Sequence, residues 1–270
     1  MSLDKNLKDR RIARVNNRIL IIDCERLDGI SEQHWWDRGD LKNRYIHYET
    51  VTRHPRVTMM CAKWYDRPDV MAFAEWDTGG RKKFIKNVYN LISRADIVVG
   101  HYIDKADIPW LRATFAVEAD LPPLPPYKKV DTYKVLKTFG DGIPFKALSA
   151  FNNIVGIDGK TDEYDRHAME RAVAGSEEDR DRLTAYCMGD VLAAQALYDW
   201  CRPHITNHPA LFVDGKDKLT VCNRCGSDTK PTDRRYVANV MTYSMRRCVK
   251  CRAYVRLSIE PERMSVVRGV

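Results

Sequence analysis

Four carboxylates and one phenol stand at spacings that could serve a single chemical step. Asp23 and Glu25 follow the apolar run Ile19–Ile22, Asp107 closes the segment Gly100-His-Tyr-Ile-Asp-Lys-Ala-Asp107, and Asp190 ends Tyr186-Cys-Met-Gly-Asp190. Two carboxylates two residues apart on a strand point the same way and resist ionising together. A divalent cation removes that repulsion, because its own charge dominates the local field. Oxygen donors without His or Cys suit Mg²⁺ or Mn²⁺ rather than zinc. The four acids could therefore converge on two such ions, with the Tyr186 hydroxyl beside them.

The chain supplies elements to position these groups. Ile19–Ile22 reads as a buried central strand that delivers Asp23 and Glu25 at its end. Asp96–Gly100 predicts a second buried strand, and a helix is expected over 108–117 with Pro109 in its first turn, where proline is tolerated. Asp104 and Asp107 both lie in the connection, but Asp107 sits at the junction itself and would project towards the end of the sheet. The stretch 176–200 predicts a helix: Ser176 followed by Asp179 is a capping-box-like start, and Leu183, Tyr186, Val191, Ala194, Leu197 and Tyr198 recur at helical spacing. Tyr186 and Asp190, four apart, share one face of it. Strand-like stretches at 57–65 and 70–76 predict antiparallel strands, and 81–95 an amphipathic helix. Leu121–Pro126 reads as a stiff connector. Trp35, Trp36 and Trp64 are expected in packing, and His101 in packing or a local hydrogen bond. With 37 acids in the chain, any one of these motifs arises by chance; their joint order, spacing and context do not.

Taken together, these residues resemble the three motifs of the DEDD superfamily, the DnaQ-like 3′–5′ exonucleases with a ribonuclease H-like fold. Asp23-Cys-Glu25 stands where the first motif has Asp-x-Glu, and the segment Gly100 to Leu111 is similar to the second, with Asp107 as its acid. Tyr186 to Asp190 is similar to the tyrosine form of the third, since Ala185 occupies the place of His in the histidine form; the DEDDy branch is thus favoured. The resemblance extends from about Arg18 to Arg202. Lys129-Val-Asp131-Thr132-Tyr-Lys134 and Gly159-Lys-Thr-Asp162 look like segments of predicted exonucleases from bacteriophage genomes, which often end in a zinc ribbon. Arg26, Tyr102 and Ala106 depart from the usual pattern, which leaves the acids intact but changes the usual contacts to the substrate end. The resemblance implies an α/β core with a mixed sheet flanked by helices, and metal-dependent hydrolysis of phosphodiesters from a 3′ end. It implies two Mg²⁺ or Mn²⁺ held by Asp23, Glu25, Asp107 and Asp190. It also implies that Tyr186 orients water; a phenol, with an ordinary pKa of about 10, is a poor base at neutral pH. A nucleic-acid-binding adaptor with an inactive core and a structure-selective endonuclease of the same fold remain as rivals.

Cys222, Cys225, Cys248 and Cys251 form a C-x2-C-x22-C-x2-C array. Thiolates in that pattern suit one tetrahedral, structural Zn²⁺ with no position left open for catalysis. Alternation over 236–243 and 254–257 predicts a three-stranded β ribbon, too small to bury much core without its metal. Cys24, Cys61, Cys187 and Cys201 sit among apolar neighbours and are expected as small buried hydrophobes.

The chain has 270 residues and a net charge of +8. Residues 214–270 carry 13 basic and 6 acidic residues, leaving 32 basic and 31 acidic to the rest. Arg234, Arg235, Arg246, Arg247, Lys250 and Arg252, interleaved with Tyr236, Tyr243 and Tyr254, suit phosphate and base-stacking contacts with single-stranded or 3′-ended nucleic acid. No 2′-hydroxyl sensor is evident, so DNA and RNA both stay open, as do any polymerase or replication partner and the biological role. The expected organisation is a basic N-terminal arm over 1–14, a core over 15–205 and a zinc ribbon over 216–259. With no signal-like segment and no apolar run of membrane-spanning length, a cytoplasmic setting is expected, the host cytoplasm if the chain is phage-encoded.

Overall fold

Nine residues, Ile19–Leu27, form β1, the central strand of the core sheet. The computed structural model describes residues 17–32, 45–150, 167–211, 215–238, 241–257 and 261–263. The expected arm, Trp35, Trp36 and Gly159–Asp162 lie outside these. A two-residue β2 (Ile30–Ser31) pairs with β3 (Val51–Arg53), and β4 (Arg56–Trp64) and β5 (Met71–Ala74) then complete one side of the sheet. Beyond the helix α1 (Gly80–Ile92), β6 (Ile97–Gly100) and β7 (Lys128–Asp131) complete the other side.

The strand order is β5-β4-β1-β6-β7. β4 runs antiparallel to β1, β5 antiparallel to β4, and β6 and β7 parallel to β1. This five-stranded mixed sheet is consistent with the expected ribonuclease H-like fold. Helices cover both faces: α1 and α2 (Ile108–Ala113) on one, α4 (Ala168–Ala174) and α5 (Glu177–Cys201) on the other. The short α3 (Thr132–Lys137) follows β7 directly, with Asp131 as its N-cap.

Side-chain alternation along β1 divides the core in two. Ile19 and Ile21 pack with Val191, Leu197 and Tyr198 of α5, while Leu20 and Ile22 pack with Phe84, Ile85 and Val88 of α1. All four β1 residues are at most 2% exposed, as a strand covered on both faces requires. The start of α5 is fixed as its sequence predicts: the Ser176 hydroxyl accepts the Asp179 amide at 3.3 Å. Two expectations need revision. β1 continues to Leu27, because β4 pairs with it beyond the apolar run, so Asp23 and Glu25 lie within the strand rather than at its end. The helix expected over 108–117 stops at Ala113 and gives way to a π-helical turn, Thr114–Glu118.

A separate antiparallel sheet forms around β9 (Met241–Cys248), which pairs with β8 (Thr229–Ala238), β10 (Tyr254–Arg256) and β11 (Glu262–Arg263). Among the described residues the ribbon thus has four strands, not three. The alternation over 236–243 is a hairpin, with Tyr236 opposite Tyr243 and Ala238 opposite Met241; Asn239 and Val240 lie outside the described residues. Cross-strand partners face the same side, which brings Tyr236 and Tyr243 to one face, where a continuous strand would separate them.

Core and ribbon meet at a polar seam. Buried Arg202 pairs with Asp199 and lies over the Tyr198 ring, 5.5 Å from its centroid. His208 accepts the Tyr198 hydroxyl on Nε2 at 2.7 Å and donates from Nδ1 to Pro209 O at 2.7 Å. From the ribbon side, Arg224 donates to Pro203 O, and Asn223 O accepts the Leu211 amide at 3.1 Å. Among the described residues no helix is long and apolar enough to cross a membrane.

Candidate active site

Asp23 and Glu25 continue the alternation of Ile19 and Ile21, so both face α5, whereas Cys24 packs with the α1 side. β6 stops pairing at Ile21–Val99, while β4 runs on beside β1, with Asp23 opposite Cys61 and Glu25 opposite Met59. The acids therefore stand where the parallel half of the sheet has ended and α5 crosses above it. The Cys187 thiol of α5 donates to Asp23 O at 3.5 Å, and donor atoms of Asp23, Glu25 and Cys187 lie within 4.8 Å of one another. Asp190 is buried three residues further on; Tyr186 is half-buried one turn before it. Burial, then the charges of Glu25, Asp107 and Asp190, hold the Asp23 carboxyl well above the usual carboxylate range.

Asp107 reaches the same place from the other face. β6 ends at Gly100, where a Cβ would meet Ile103 Cγ2 at 2.2 Å and Ile22 O at 2.9 Å, so only glycine allows the chain to turn so closely against β1. The next loop is gathered by Asp131, whose carboxylate accepts the amides of Tyr102 (2.9 Å), Tyr133 (3.0 Å) and Asp104 (3.3 Å). Tyr102 is held at φ +63°, unusual for a non-glycine residue. Asp104 is turned to Lys129 and Lys134, and these bonds hold its carboxyl below the usual range despite partial burial. Asp107 instead turns inward, 4% exposed, and accepts the Cys24 amide at 3.0 Å. Burial pushes its carboxyl up to about 6, against the hydrogen bonds from Cys24 and the charge of Arg26. His101 is engaged elsewhere: its Nδ1 is 3.0 Å from Thr132 Oγ1, which donates to Gly100 O, and its ring meets Tyr133 edge-on.

Glu25, Asp107 and Asp190 thus each lie within electrostatic reach of Asp23, while the donor atoms within 4.8 Å of one another are those of Asp23, Glu25 and Cys187. Three elements distant in sequence supply the four acids. A carboxylate cluster that raises its own members is a donor set that hard divalent cations fit. Cys187 was expected only as a small hydrophobe; it is fully buried, but it also touches the acids. The signal was its i, i+3 relation to Asp190, which puts both on one helix face. Asp131, though its segment was noted, emerges as the anchor of the Asp107 loop.

The four ribbon cysteines form a second cluster, with ligand atoms within 4.8 Å of one another. Cys222 and Cys251 sulfurs are 3.7 Å apart, and Cys225 and Cys248 3.4 Å, far beyond a disulfide bond. Sulfurs arranged tetrahedrally about ~2.3 Å from one centre stand about 3.8 Å apart, so the group could hold one structural zinc. Amides of Arg224 and Cys251 donate to Cys222 Sγ and Cys248 Sγ at 3.4 Å each, which orients both sulfurs.

The six nominated basic residues have different surroundings. Arg246 is tied to the Thr229 hydroxyl and carbonyl at 2.7 Å each, and Arg235 donates to Ser244 Oγ at 2.9 Å. Arg234 and Arg247 both lie over the Tyr254 ring. Lys250 and Arg252 are exposed at the second cysteine knuckle, Arg252 at φ +61°.

No protein-family model matches the chain, and no curated protein does. Among solved structures it is similar to the family B DNA polymerase from the hyperthermophilic archaeon Pyrobaculum calidifontis, at 16% identity and a TM-score of 0.49. That likeness covers 69% of this chain and 25% of the polymerase, so the chain spans about a quarter of its neighbour's length.

Proposed function

We propose that the chain is a metal-dependent 3′–5′ exonuclease that hydrolyses phosphodiester bonds of DNA or RNA. One observation carries the reading: β1, the loop before α2 and α5 bring Asp107, Asp190 and Glu25 close enough to raise the Asp23 carboxyl, a cluster that cations would relieve. Asp23, Glu25 and Asp190 would hold one Mg²⁺ or Mn²⁺, and Asp107 would help hold a second. When bound, such a pair supplies charge that stabilises the attacking and leaving oxygens of an in-line displacement. Tyr186, one turn from Asp190, orients the attacking water through its hydroxyl. Asp131 keeps the Asp107 loop closed against β1. The ribbon, over 216–259, carries a structural zinc and holds nucleic acid without cutting it.

Digestion of 5′- and 3′-labelled oligonucleotides with Mg²⁺ or Mn²⁺ tests this. Nucleoside monophosphates released from the 3′ end are expected. Internal cuts would make the protein an endonuclease, and an intact substrate would make it an adaptor.

A further inference from the structure

The register of the ribbon sorts its arginines onto two faces. Tyr254 stands opposite Arg247, Arg256 opposite Met245, and Tyr243 opposite Tyr236, so these side chains share one face of the sheet. The irregular pairing between Pro231 and Arg235 turns Arg235 to the side of Ser244 and Arg246, leaving Arg234 with Tyr254. On the first face Arg234, Arg247 and Arg256 each lie over a tyrosine ring. Arg234 and Arg247 lie over Tyr254, each 5.4 Å from its centroid. Arg256 lies between Tyr236 and Tyr243, 5.6 and 4.7 Å from theirs.

A cation–π contact uses none of a guanidinium's N–H donors, so each of these arginines can still pair with a phosphate. Among the described residues none of these three arginines has a carboxylate within ion-pair distance, whereas Arg235 lies 3.8 Å from Glu262. Tyr236 and Tyr254 remain 47% and 38% exposed, so the rings also present aromatic surface. On the opposite face Arg246 spends its donors on Thr229.

We propose that the face formed by Arg234, Arg247 and Arg256 with Tyr236, Tyr243 and Tyr254 binds single-stranded nucleic acid, the guanidinium edges on successive phosphates and the exposed rings against unpaired bases. The proposal rests on the nucleic-acid reading of the chain but not on its catalysis. It adds Arg256 to the contacts and leaves out Arg235, Arg246, Lys250 and Arg252. Three phosphate contacts fit a flexible strand on a short, narrow sheet, and unpaired bases are what exposed rings can take.

The test uses the full, zinc-loaded chain and a fluorescein-labelled 20-nucleotide single strand, read by anisotropy against KCl in buffer free of Mg²⁺ and Mn²⁺. The triple variant Arg234→Gln, Arg247→Gln, Arg256→Gln should bind about 30-fold more weakly, with a log–log salt slope smaller by about 2, at ~0.7 per lost phosphate. Tyr254→Leu, which leaves every charge in place, should weaken binding about 10-fold by freeing two guanidiniums. Arg235→Gln with Arg252→Gln should bind within about 3-fold of wild type. An unchanged slope in the triple variant, an equal loss in that double variant, or tighter binding of a duplex of the same length would each overturn the proposal. Zinc content and thermal midpoint, measured on every variant, identify misfolding; if the triple variant misfolds, Tyr254→Leu decides. Hydrolysis of a short oligonucleotide with Mg²⁺ separates the two readings: cutting with unchanged binding sinks the face alone, and lost binding without any cutting by wild type sinks the exonuclease alone.

Discussion

At the scale of single residues, the site is defined by groups that disfavour each other's charge. Asp23 is the centre of that conflict, raised by burial and by three other acids. Asp23→Asn should therefore raise the thermal midpoint in metal-free buffer while lowering hydrolysis by more than about 100-fold, a larger loss than removing a ligand's outer partner produces. Scanning calorimetry with and without Mg²⁺ checks the first part, and the expected sign reverses once the ion is present. Tyr186→Phe keeps the ring and loses the hydroxyl. A single-turnover rate lower by about 10- to 1000-fold, with Mg²⁺ affinity unchanged, is expected; an unchanged rate would remove the tyrosine from the chemistry. The five candidate residues could be picked out of the sequence because their types and spacings are unusual together. Cys187 was not, because a cysteine among apolar neighbours reads as packing, and only the close approach of α5 to β1 gives it a second partner. Asp104 and Asp107 could not be separated by spacing either. Lys129 and Lys134, supplied by β7 and α3, take up the first and leave the second to the core.

At the scale of elements, most of the architecture followed from two periodicities. The start of β1 and both ends of the capped, periodic α5 were predicted near their observed places, because burial on one or both sides writes itself into the sequence. The end of β1 was missed because strand pairing with β4 carries through Arg26 and Leu27 across a register shift that hydrophobicity does not mark. The hairpin of the ribbon was missed because alternation alone does not reveal a reversal of direction. The loop from Gly100 to Asp107 is held less by packing than by one carboxylate. Asp131→Asn keeps the volume but leaves a single acceptor oxygen for three amides, and each bond lost costs on the order of 1 kcal/mol. Amide hydrogen exchange over 101–107 should speed up and hydrolysis should fall about 10- to 100-fold, with exchange in α5 unaltered. Exchange unchanged in the loop would mean that Asp131 does not anchor it.

For the whole molecule, the decisive contact is the seam between core and ribbon. Burial, reinforced by the charges of Arg202 and Arg224, holds His208 down to about 4, and its hydrogen bonds to Tyr198 and Pro209 are those of the neutral ring. In the unfolded chain the same histidine titrates near 6.5. Above about 6.5 both states are neutral; as the pH falls towards 4 only the unfolded state takes up a proton, so stability drops through that window and levels off below it. The loss amounts to about 3 kcal/mol. Urea midpoints between pH 7 and pH 4.5 should show it, and His208→Asn should flatten that dependence; an equal slope in the variant would assign the titration elsewhere. Because Arg224 and Asn223 reach the core from the first cysteine knuckle, removing zinc should also loosen this seam. Chelation is then expected to lower the core's thermal midpoint, while loss of zinc without that change would show the two units to be independent.

One contact also sets when the site can exist. Asp23 and Cys187 touch across 164 residues of chain, so the first strand of the core waits for its last helix. During synthesis the acids of β1 leave the ribosome early and stand uncovered until α5 has followed them, because long-range pairing cannot close before both ends are present. An unfinished chain therefore has these acids without the helix that gathers them. The cluster closes at one moment, when the helix carrying Tyr186 and Asp190 lies down on the sheet.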